Sequence, residues 1–587
     1  MRKIIINSLV VLFAVWFFQS GVKLPKEADT AYQIHAFAHL PVKYEGRKKP
    51  IDTLARNILT ILSDKQSVRV DGKRVSASQW FLDNISGRPE ALDYRVFRIE
   101  NMDLLSSLGL EERKGFRYAY REILPKLGNL DAAARAAFGK GDKQRDLYDK
   151  QVMKVANKIY LYQNTMSSFE DPSSIPQEQL MATAQRYMQL ENYSIPLVIP
   201  PGKGNPRWRP LMSSLLAAHP AMSGITGHEA SVDPLAVHMA VMLAAYRTGN
   251  VALFNETLNE YGALVLAENP DALRKLSFET FCNRLGAFMK SAQLYMLVFV
   301  ISCFGWLARR RGPVSAASAL MICAFIPHTF AIIARIFLSG YPPVTNLYSS
   351  AIFIGWAAVL AGIVLELVYR KAEGMGNLVG GIAGFVTLLI AHFLAGDGDT
   401  MEQMRAVLDT RFWLATHVIT ITLGYMATFV SGTIAVFYIF SGLFTRRLDE
   451  ATTENMYRMM YGTTCFALLL SFVGTVLGGL WADDSWGRFW GWDPKENGAL
   501  LIVIWNAIML HARYGKMVKS RGFAVMAVGG NIVTAWSWFG VNQLSVGLHS
   551  YGFTQSATFW LIIFVFSQQL IILLGLIPSR LWKSRRL

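Results

Sequence analysis

The apolar residues of this chain are concentrated at its N-terminus and in its second half. A short apolar run follows the first three residues, and longer apolar runs recur from residue 290 to the C-terminus. Residues 23–289 instead mix apolar and polar positions as a soluble chain does. Because a helix needs about 20 apolar residues to cross a bilayer, this pattern predicts an all-α polytopic membrane protein with a separate soluble domain.

Ten apolar runs predict about ten transmembrane helices. The first lies within residues 1–22, where a basic start is compatible with a signal peptide or an anchor, and a weak cleavage signal favours an uncleaved anchor. The run at 412–443 is long enough to project beyond a bilayer, and the run at 498–512 is short. The nine runs after the first lie near residues 291–308, 314–338, 349–369, 377–395, 412–443, 463–480, 498–512, 522–541 and 556–577.

The domain between the first and second spans, residues 23–289, is predicted to be mostly helical. Its apolar residues recur three and four positions apart in stretches such as Asp103–Leu127, and strand-like alternation is rare. The segment Tyr44–Asp52 is expected to form an ordered loop. The rest of the chain divides into a membrane domain at residues 290–580 and a basic tail at residues 581–587.

The basic residues orient the predicted spans. The chain has 58 basic and 42 acidic residues and a net charge of +16, which in a soluble protein would raise the question of nucleic-acid binding. Here the basic residues cluster after alternate spans, as the positive-inside rule requires of cytoplasmic loops. The clusters are Arg309–Arg311, Arg370–Lys371, Arg446–Arg447, Arg513–Arg521 and Lys583–Arg586. The 23–289 domain and residues 481–497 are therefore predicted outside the cytoplasm, and nucleic acid is not an expected partner.

The four cysteines exclude two classes of protein. No two of them form a CxxC pair, so a disulfide framework or a cysteine-based metal site is not expected. The haem-attachment string CxxCH is absent, so the chain is not itself a c-type cytochrome.

Residues 481–497, here called the tryptophan segment, are rich in aromatic side chains. Four tryptophans and one phenylalanine fall within twelve residues: Trp481, Trp486, Phe489, Trp490 and Trp492. Such a cluster forms either an aromatic belt at the membrane interface or a platform on which a large planar ligand stacks. On the second interpretation, Arg488 and Lys495 would meet anionic groups at the edge of that ligand.

Two histidines flank the tryptophan segment and share its predicted side of the membrane. His417 begins the sixth span, and His549 lies in the loop after the ninth. A planar ligand between two imidazoles describes a haem with two axial histidines, but either histidine also fits an ordinary interfacial position. His511 lies near the cytoplasmic end of the eighth span, where snorkelling to the interface is the plainer interpretation. His328 and His392 are expected to be a buried polar contact and an interfacial residue.

Residues Trp486–Glu496 closely resemble the WWD domain of haem-handling membrane proteins. The string Trp-Gly-Trp-Asp-Pro-Lys-Glu within them is similar to the CcsA (ResC) component of system II cytochrome c synthases. The sequences around His417, at residues 547–553 and at residues 342–348 are similar to the same family. The resemblance covers about residues 290–577.

This resemblance implies roles for particular residues. His417 and His549 would be the axial ligands of an outer haem b, and His511 would bind haem in transit through the membrane. No portion similar to ResB (CcsB) is found here, so the second ligand for His511 is expected from a separate ResB/CcsB-like subunit. No catalytic side chain is assigned. The haem platform implied in the tryptophan segment consists of Trp481, Trp486, Arg488, Phe489, Trp490, Trp492, Asp493 and Lys495.

The implied function is that of a holocytochrome c synthase, or haem lyase. The chain would present haem at the outer face of a bacterial inner membrane for thioether attachment to the CxxCH segment of an apocytochrome c, after moving haem across that membrane. Two alternatives stay open. One is a haem exporter or system I-type haem lyase, which carries a similar segment, and the other is a non-haem transporter with an aromatic substrate platform.

Overall fold

The chain folds into two compact units. The computed structural model describes residues 2–23, 27–28, 30–141, 144–171, 195–202, 207–217, 233–268, 270–369, 374–401, 410–544 and 555–585. The first unit is made of residues 1–20, 285–394 and 404–587. The second unit is made of residues 21–284 together with the short segment 395–403.

The first unit has a helix at each of the ten positions predicted from the apolar runs. Within the described residues, all of these helices except α8 and α9 are long and apolar enough to cross a membrane. The prediction of an all-α polytopic membrane protein is confirmed, and the number of ten crossings stays a prediction. The helices are α1 (Arg2–Val22), α2 (Ala287–Ala308), α3 (Arg311–Ser339), α4 (Leu347–Val368), α5 (Met375–Leu394), α6 (Arg411–Phe444), α7 (Glu450–Trp486), α8 (Pro494–Tyr514), α9 (Ser520–Trp538) and α10 (Gln555–Leu576).

Small residues and buried polar pairs hold these helices together. A Cβ atom added to Gly362 of α4 would lie 2.6 Å from the carbonyl oxygen of Gly376 in α5, so the two backbones are in direct contact. The amide of Asn531 in α9 donates to the side chain of Gln568 in α10 over 3.0 Å. Close glycine contacts and interhelical hydrogen bonds are the usual means of helix association in a membrane, where lipid offers no hydrophobic drive. The start of the basic tail is also part of the packed structure, since the Trp582 side chain is buried.

Helix α7 is much longer than its predicted span of residues 463–480. Its 37 residues extend about 55 Å at 1.5 Å per residue, well beyond a hydrocarbon core of about 30 Å. The Asp449 side chain caps its start by accepting from the Thr452 amide, and Gly487 ends it in a left-handed conformation. The first third of the tryptophan segment is therefore helical, and only residues 487–493 connect α7 to α8.

In its described residues the second unit is mostly helical, with three small antiparallel β-sheets. The strand pairs are β1 (Pro41–Tyr44) with β2 (Arg47–Pro50), β3 (Ser67–Val70) with β4 (Lys73–Ser76), and β5 (Arg95–Arg98) with β6 (Arg117–Ala119). The helices are Ile34–Ala38, Ile51–Ser63, Ala77–Ile85, Met102–Ser107, Tyr120–Ile123, Leu127–Gly139, Leu147–Ser167, Leu211–Ala217, Pro234–Thr248, Val251–Glu268 and Pro270–Leu285.

Two local predictions for the second unit were wrong. The segment Tyr44–Asp52 is not a loop but the turn and second strand of a β-hairpin, followed by a helix. Glu45 and Gly46 both have positive φ angles, as tight hairpin turns require. The stretch Asp103–Leu127 is not one helix, because Gly109 and Gly115 adopt left-handed conformations that end the first helical turns before β6 begins.

A buried cluster of charged side chains joins distant segments of the second unit. The Arg47 guanidinium pairs with both oxygens of Glu279 at 2.7 and 2.9 Å and with Asp399 at 2.8 Å. The ammonium of Lys49, which is fully buried, lies 2.7 Å from Asp399. The short segment 395–403 thus belongs to this unit through its carboxylate, although its neighbours on both sides in sequence belong to the first.

Candidate functional site

The first unit contains an open pocket of about 1320 Å³, part of it continuous with solvent. It lies where α6 begins, α7 ends and α8 begins, and the start of α4 completes its wall. Five of the residues singled out from the sequence line it: His417, Trp481, Trp486, Trp490 and Lys495. Residues 344–347, part of the loop noted for its family resemblance, line it as well. The wall is largely apolar and aromatic, as binding sites for flat organic molecules are.

His417 is held in one orientation by the backbone of α7. It lies in a π-helical turn, Leu414–Val418, a local widening of α6 of the kind that is frequent at functional sites. Its Nδ1 lies 2.7 Å from the carbonyl oxygen of Gly474. Since a carbonyl only accepts, Nδ1 carries a proton and is the donor in this contact. The ring also contacts Trp481 edge-on, with 5.7 Å between centroids.

Two adjacent glycines of α7 make room for rings in this region. A Cβ atom on Gly478 would lie 2.6 Å from Cε1 of His417, and one on Gly479 would lie 2.5 Å from the Phe489 ring. Both distances are far below ordinary van der Waals contact. The glycine pair therefore lets an imidazole and a phenyl ring approach the α7 backbone more closely than any other residue type would allow.

The last part of the tryptophan segment is a helix cap. The Asp493 side chain accepts from the Lys495 amide, and the Glu496 side chain accepts from the Asp493 amide, which together form a capping box. Pro494 occupies the first helical position, where its missing N–H costs nothing. The order Asp-Pro-Lys-Glu thus starts α8 at a fixed place, and with it fixes where the preceding tryptophans lie.

Trp492 has an unusual backbone conformation. Its φ angle is +58°, a left-handed value that is costly for a residue with a large side chain. The Asn497 amide donates to its carbonyl over 3.0 Å, and the cap at Asp493 follows directly. The Trp492 indole is 72% exposed and meets Trp490 edge-on at 6.2 Å. Non-glycine residues held in this conformation cluster at functional sites.

The two basic residues of the segment are engaged with the protein itself. The Lys495 ammonium lines the pocket but donates to the carbonyl of Trp538 over 2.9 Å, at the C-terminus of α9. Positive charge is favourable there because the carbonyls at a helix C-terminus have no helical partners. The Arg488 guanidinium lies 5.9 Å from the centre of the Trp486 ring. Neither contact was foreseen in the sequence, where both residues were expected to face a ligand.

The other histidines of the first unit that the structure describes do not line the pocket. His511 is exposed on α8, about 24 Å along the helix from Lys495 at 1.5 Å per residue. His328 is fully buried in α3, with the Tyr295 hydroxyl 3.2 Å from its Nδ1. His392 is exposed near the end of α5. His549 lies outside the described residues.

Several pocket residues were missed in the sequence. Thr422 and Tyr425 follow His417 on the pocket side of α6, and Trp538 reaches the pocket from the end of α9. The spacing of Ile421 and Tyr425, four and eight positions after His417, was a signal that one face of α6 lines a site. Nothing comparable marks Trp538, whose indole nitrogen donates to Ser350 of α4 over 3.0 Å.

Comparison with known proteins places this pocket inside a shared region. Residues 344–549 match the family described as "Cytochrome C assembly protein", and every pocket-lining residue falls within that range. The cytochrome c biogenesis protein CcsA of Prochlorococcus marinus (strain MIT 9303) is 27% identical over 299 residues, which cover 44% of this chain and 92% of the relative. The protein of the same name from Pinus thunbergii is 28% identical over 311 residues, 44% of this chain and 95% of the relative.

A further relative extends beyond the first unit. Protein NrfI of Wolinella succinogenes is 25% identical over 529 residues, which cover 86% of this chain and 53% of NrfI. Because 86% of the chain is more than the first unit contains, this similarity includes part of the second unit. At least part of the second unit is therefore similar in sequence to this longer relative.

Proposed function

We propose that the protein holds haem b as a substrate in this pocket and presents it for attachment to an apocytochrome c. Residues 344–549 match the cytochrome c assembly family, and the relatives of the chain indicate a CcsA-type cytochrome c biogenesis protein. One observation carries the proposal. The pocket contains a histidine, His417, whose ring is oriented by a hydrogen bond from Nδ1 to a backbone carbonyl. A histidine so arranged is ready to bind a metal through Nε2.

The residues present fit a haem. Histidines that bind metals usually donate their other ring N–H to a carbonyl or carboxylate, as His417 does to Gly474. Trp481, Trp486 and Trp490 supply aromatic surface for a flat apolar ligand. Phe489 lies against Gly479, and the exposed Trp492 indole adds to the platform. Asp493 contributes through the cap that sets the position of these rings.

The second axial ligand in this proposal is His549, which the family resemblance implies. The chemistry joins each thiol of a CxxCH segment to one haem vinyl group. Sulfur bonds to the inner vinyl carbon and the thiol proton ends on the outer carbon, so the addition consumes no oxidant or reductant. The histidine of the CxxCH segment takes the place of one axial ligand, which brings the thiols to the vinyl groups. Holding the reactants together provides most of the acceleration, and no acid or base is assigned.

His511 supports a second part of the proposal, the passage of haem through the membrane. It ends an exposed face of α8 that also carries Leu501, Ile504 and Ile508. A histidine on a lipid-facing surface is costly unless another group covers it. We assign that cover to a ResB/CcsB-like subunit, which would supply a second ligand to haem in transit. From the basic clusters we infer that the His511 end of α8 faces the cytoplasm and the pocket faces outward, and we assign the protein to a bacterial inner membrane.

The first experiment is the absorption spectrum of the detergent-purified protein made together with a ResB/CcsB-like partner. We expect a low-spin haem spectrum in the wild type, a weakened one in His417→Gly and in His549→Gly, and recovery of each variant on adding imidazole. His392→Gly is the matched control, because His392 is an exposed histidine of the same unit outside the pocket.

Two outcomes would contradict the proposal. Wild-type protein without haem, even when made with its partner, would leave the pocket to another planar substrate, as in a transporter. Equal loss of haem in His392→Gly and His417→Gly would mean that the spectrum reports general damage and not axial ligation.

A further inference from the structure

We propose that Gly478 is a positioning residue for His417, because its lack of a side chain leaves the space that the imidazole and its metal-binding edge need. The inference rests on the proposed function and adds a residue to it. Gly478 lies on α7, three residues before the first tryptophan of the tryptophan segment, and no part of the resemblance singled it out.

The contact is made by the reactive edge of the ring. A Cβ atom on Gly478 would lie 2.6 Å from Cε1, 3.1 Å from Nδ1 and 3.3 Å from Nε2 of His417. Ordinary contact begins at 3.4 Å. The edge that joins the two nitrogens therefore lies directly over Gly478, and a methyl group there would displace the ring and crowd Nε2.

A second glycine on the same face of α7, one helical turn before Gly478, also holds the His417 ring. Gly474 precedes Gly478 by four residues, so both lie on one side of the helix. The Gly474 carbonyl accepts from Nδ1 of His417 over 2.7 Å. A Cβ atom on Gly474 would lie 2.8 Å from the Cα of Ile421, one turn along α6. The two glycines together let one turn of α6 pack closely against α7, and this packing orients the histidine of that turn.

The close packing around His417 matters for ligation because the metal–imidazole bond tolerates little displacement. Metal–nitrogen bonds of about 2 Å vary by only a few tenths of an ångström, whereas a methyl group on Gly478 would move the ring by most of an ångström. Displacement would also lengthen the hydrogen bond that sets the tautomer. Loss of such a supporting partner typically lowers metal affinity about 10–100-fold.

The test compares two glycine-to-alanine variants in the same helix. Gly462 also lies in α7, and a Cβ atom there would meet nothing within 4 Å. We expect Gly478→Ala to lower the retention of low-spin haem at least tenfold and Gly462→Ala to leave it unchanged. Wild-type retention in Gly478→Ala would overturn the inference and leave the proposed function standing. A wild type without haem would instead overturn the proposed function, and this inference with it.

A second comparison separates positioning from general damage. In a His417→Gly background with added imidazole, the ring is no longer tied to α6, so Gly478→Ala should have no further effect on the spectrum. Non-additivity of this kind indicates that two residues act through one another. An equal loss in both backgrounds would show that Gly478 supports the helix bundle in general, and would overturn the inference.

Discussion

The ammonium of Lys49 lies 2.7 Å from a carboxylate oxygen of Asp399, and the two residues come from distant parts of the chain. Burial alone would raise the pKa of the Asp399 carboxyl, but Arg47 and Lys49 outweigh it and hold that pKa well below its usual value. A carboxyl with a lowered pKa in the folded state stabilises the fold at pH values above about 4 and loses this contribution as the pH falls further.

We expect Asp399→Asn to destabilise the second unit strongly. The substitution leaves Lys49 buried without its nearest counter-charge, and breaking a buried ion pair from one side costs about 3–5 kcal/mol. Thermal unfolding of the full protein in detergent measures the effect. The control is Arg121→Ala, which breaks the exposed pair between Arg121 and Asp93 and should leave the melting temperature nearly unchanged, because exposed ion pairs contribute little to stability. Similar melting temperatures for the two variants would refute the role given to the cluster.

Because the pKa of His35 is lowered, we expect the stability of the fold to depend on pH at milder acidity as well. Burial, with the nearby His39 and Arg284, lowers the pKa of His35 to about 4. Between that value and the ordinary value of about 6.5, the unfolded chain binds a proton that the folded chain does not. Stability therefore falls as the pH is lowered through this window.

The measurement for His35 is the melting temperature at pH 7.5 and pH 5. Wild-type protein should melt lower at pH 5, and His35→Gln should show a smaller difference between the two values. A His35→Gln variant with the full wild-type difference would disprove the assignment.

The role of Asp493 can be separated from haem binding. As the N-cap of α8, it should tolerate Asp493→Asn, since asparagine caps equally well, whereas Asp493→Ala should cost about 0.5–2 kcal/mol. Melting temperatures of the haem-free proteins would reveal this order. Equal melting of both variants would mean that the cap is not what Asp493 contributes.

Substitutions of Trp492 should have different effects on stability but the same effect on haem binding. Glycine at this position relieves a left-handed strain of about 1–2 kcal/mol, and alanine does not. Trp492→Gly should therefore be more stable than Trp492→Ala. Both variants should lose haem to the same extent if the indole is part of the platform. Unchanged haem content in both would remove Trp492 from the proposed site.

Much of this architecture was readable from the sequence because apolar length is a direct signal of a membrane span. The starts of α4 and α10 fall within two residues of their predicted positions. Helix α7 was underestimated because its first 13 residues are largely polar, and nothing ended the helix before Gly487. The missed hairpin at β1 and β2 depends on a two-residue turn at Glu45–Gly46, which lay inside the segment predicted to be a loop.

The site was predictable in its chemistry and not in its detail. The density of tryptophans and the position of His417 suggested a ligand-binding wall, and Trp481, Trp486, Trp490 and His417 do line one pocket. The hydrogen bond from His417 to Gly474 left no trace in the sequence, because every residue has a carbonyl and only the packing of α6 on α7 selects one. The capping role of Asp493 and Glu496 was visible in their spacing, but the neighbouring aromatic residues drew the interpretation toward binding.

The ion pair between Lys49 and Asp399 also sets an order of events during synthesis. The ribosome makes residues 21–284 first and reaches the segment 395–403 only after residues 285–394. At about 5–20 residues per second, the 350 residues from Lys49 to Asp399 take roughly 20–70 s to make, and the cations of β2 wait that long for Asp399. Helices α2 to α5 are made in that interval. Completion of the second unit is thus delayed until the chain has made these four helices.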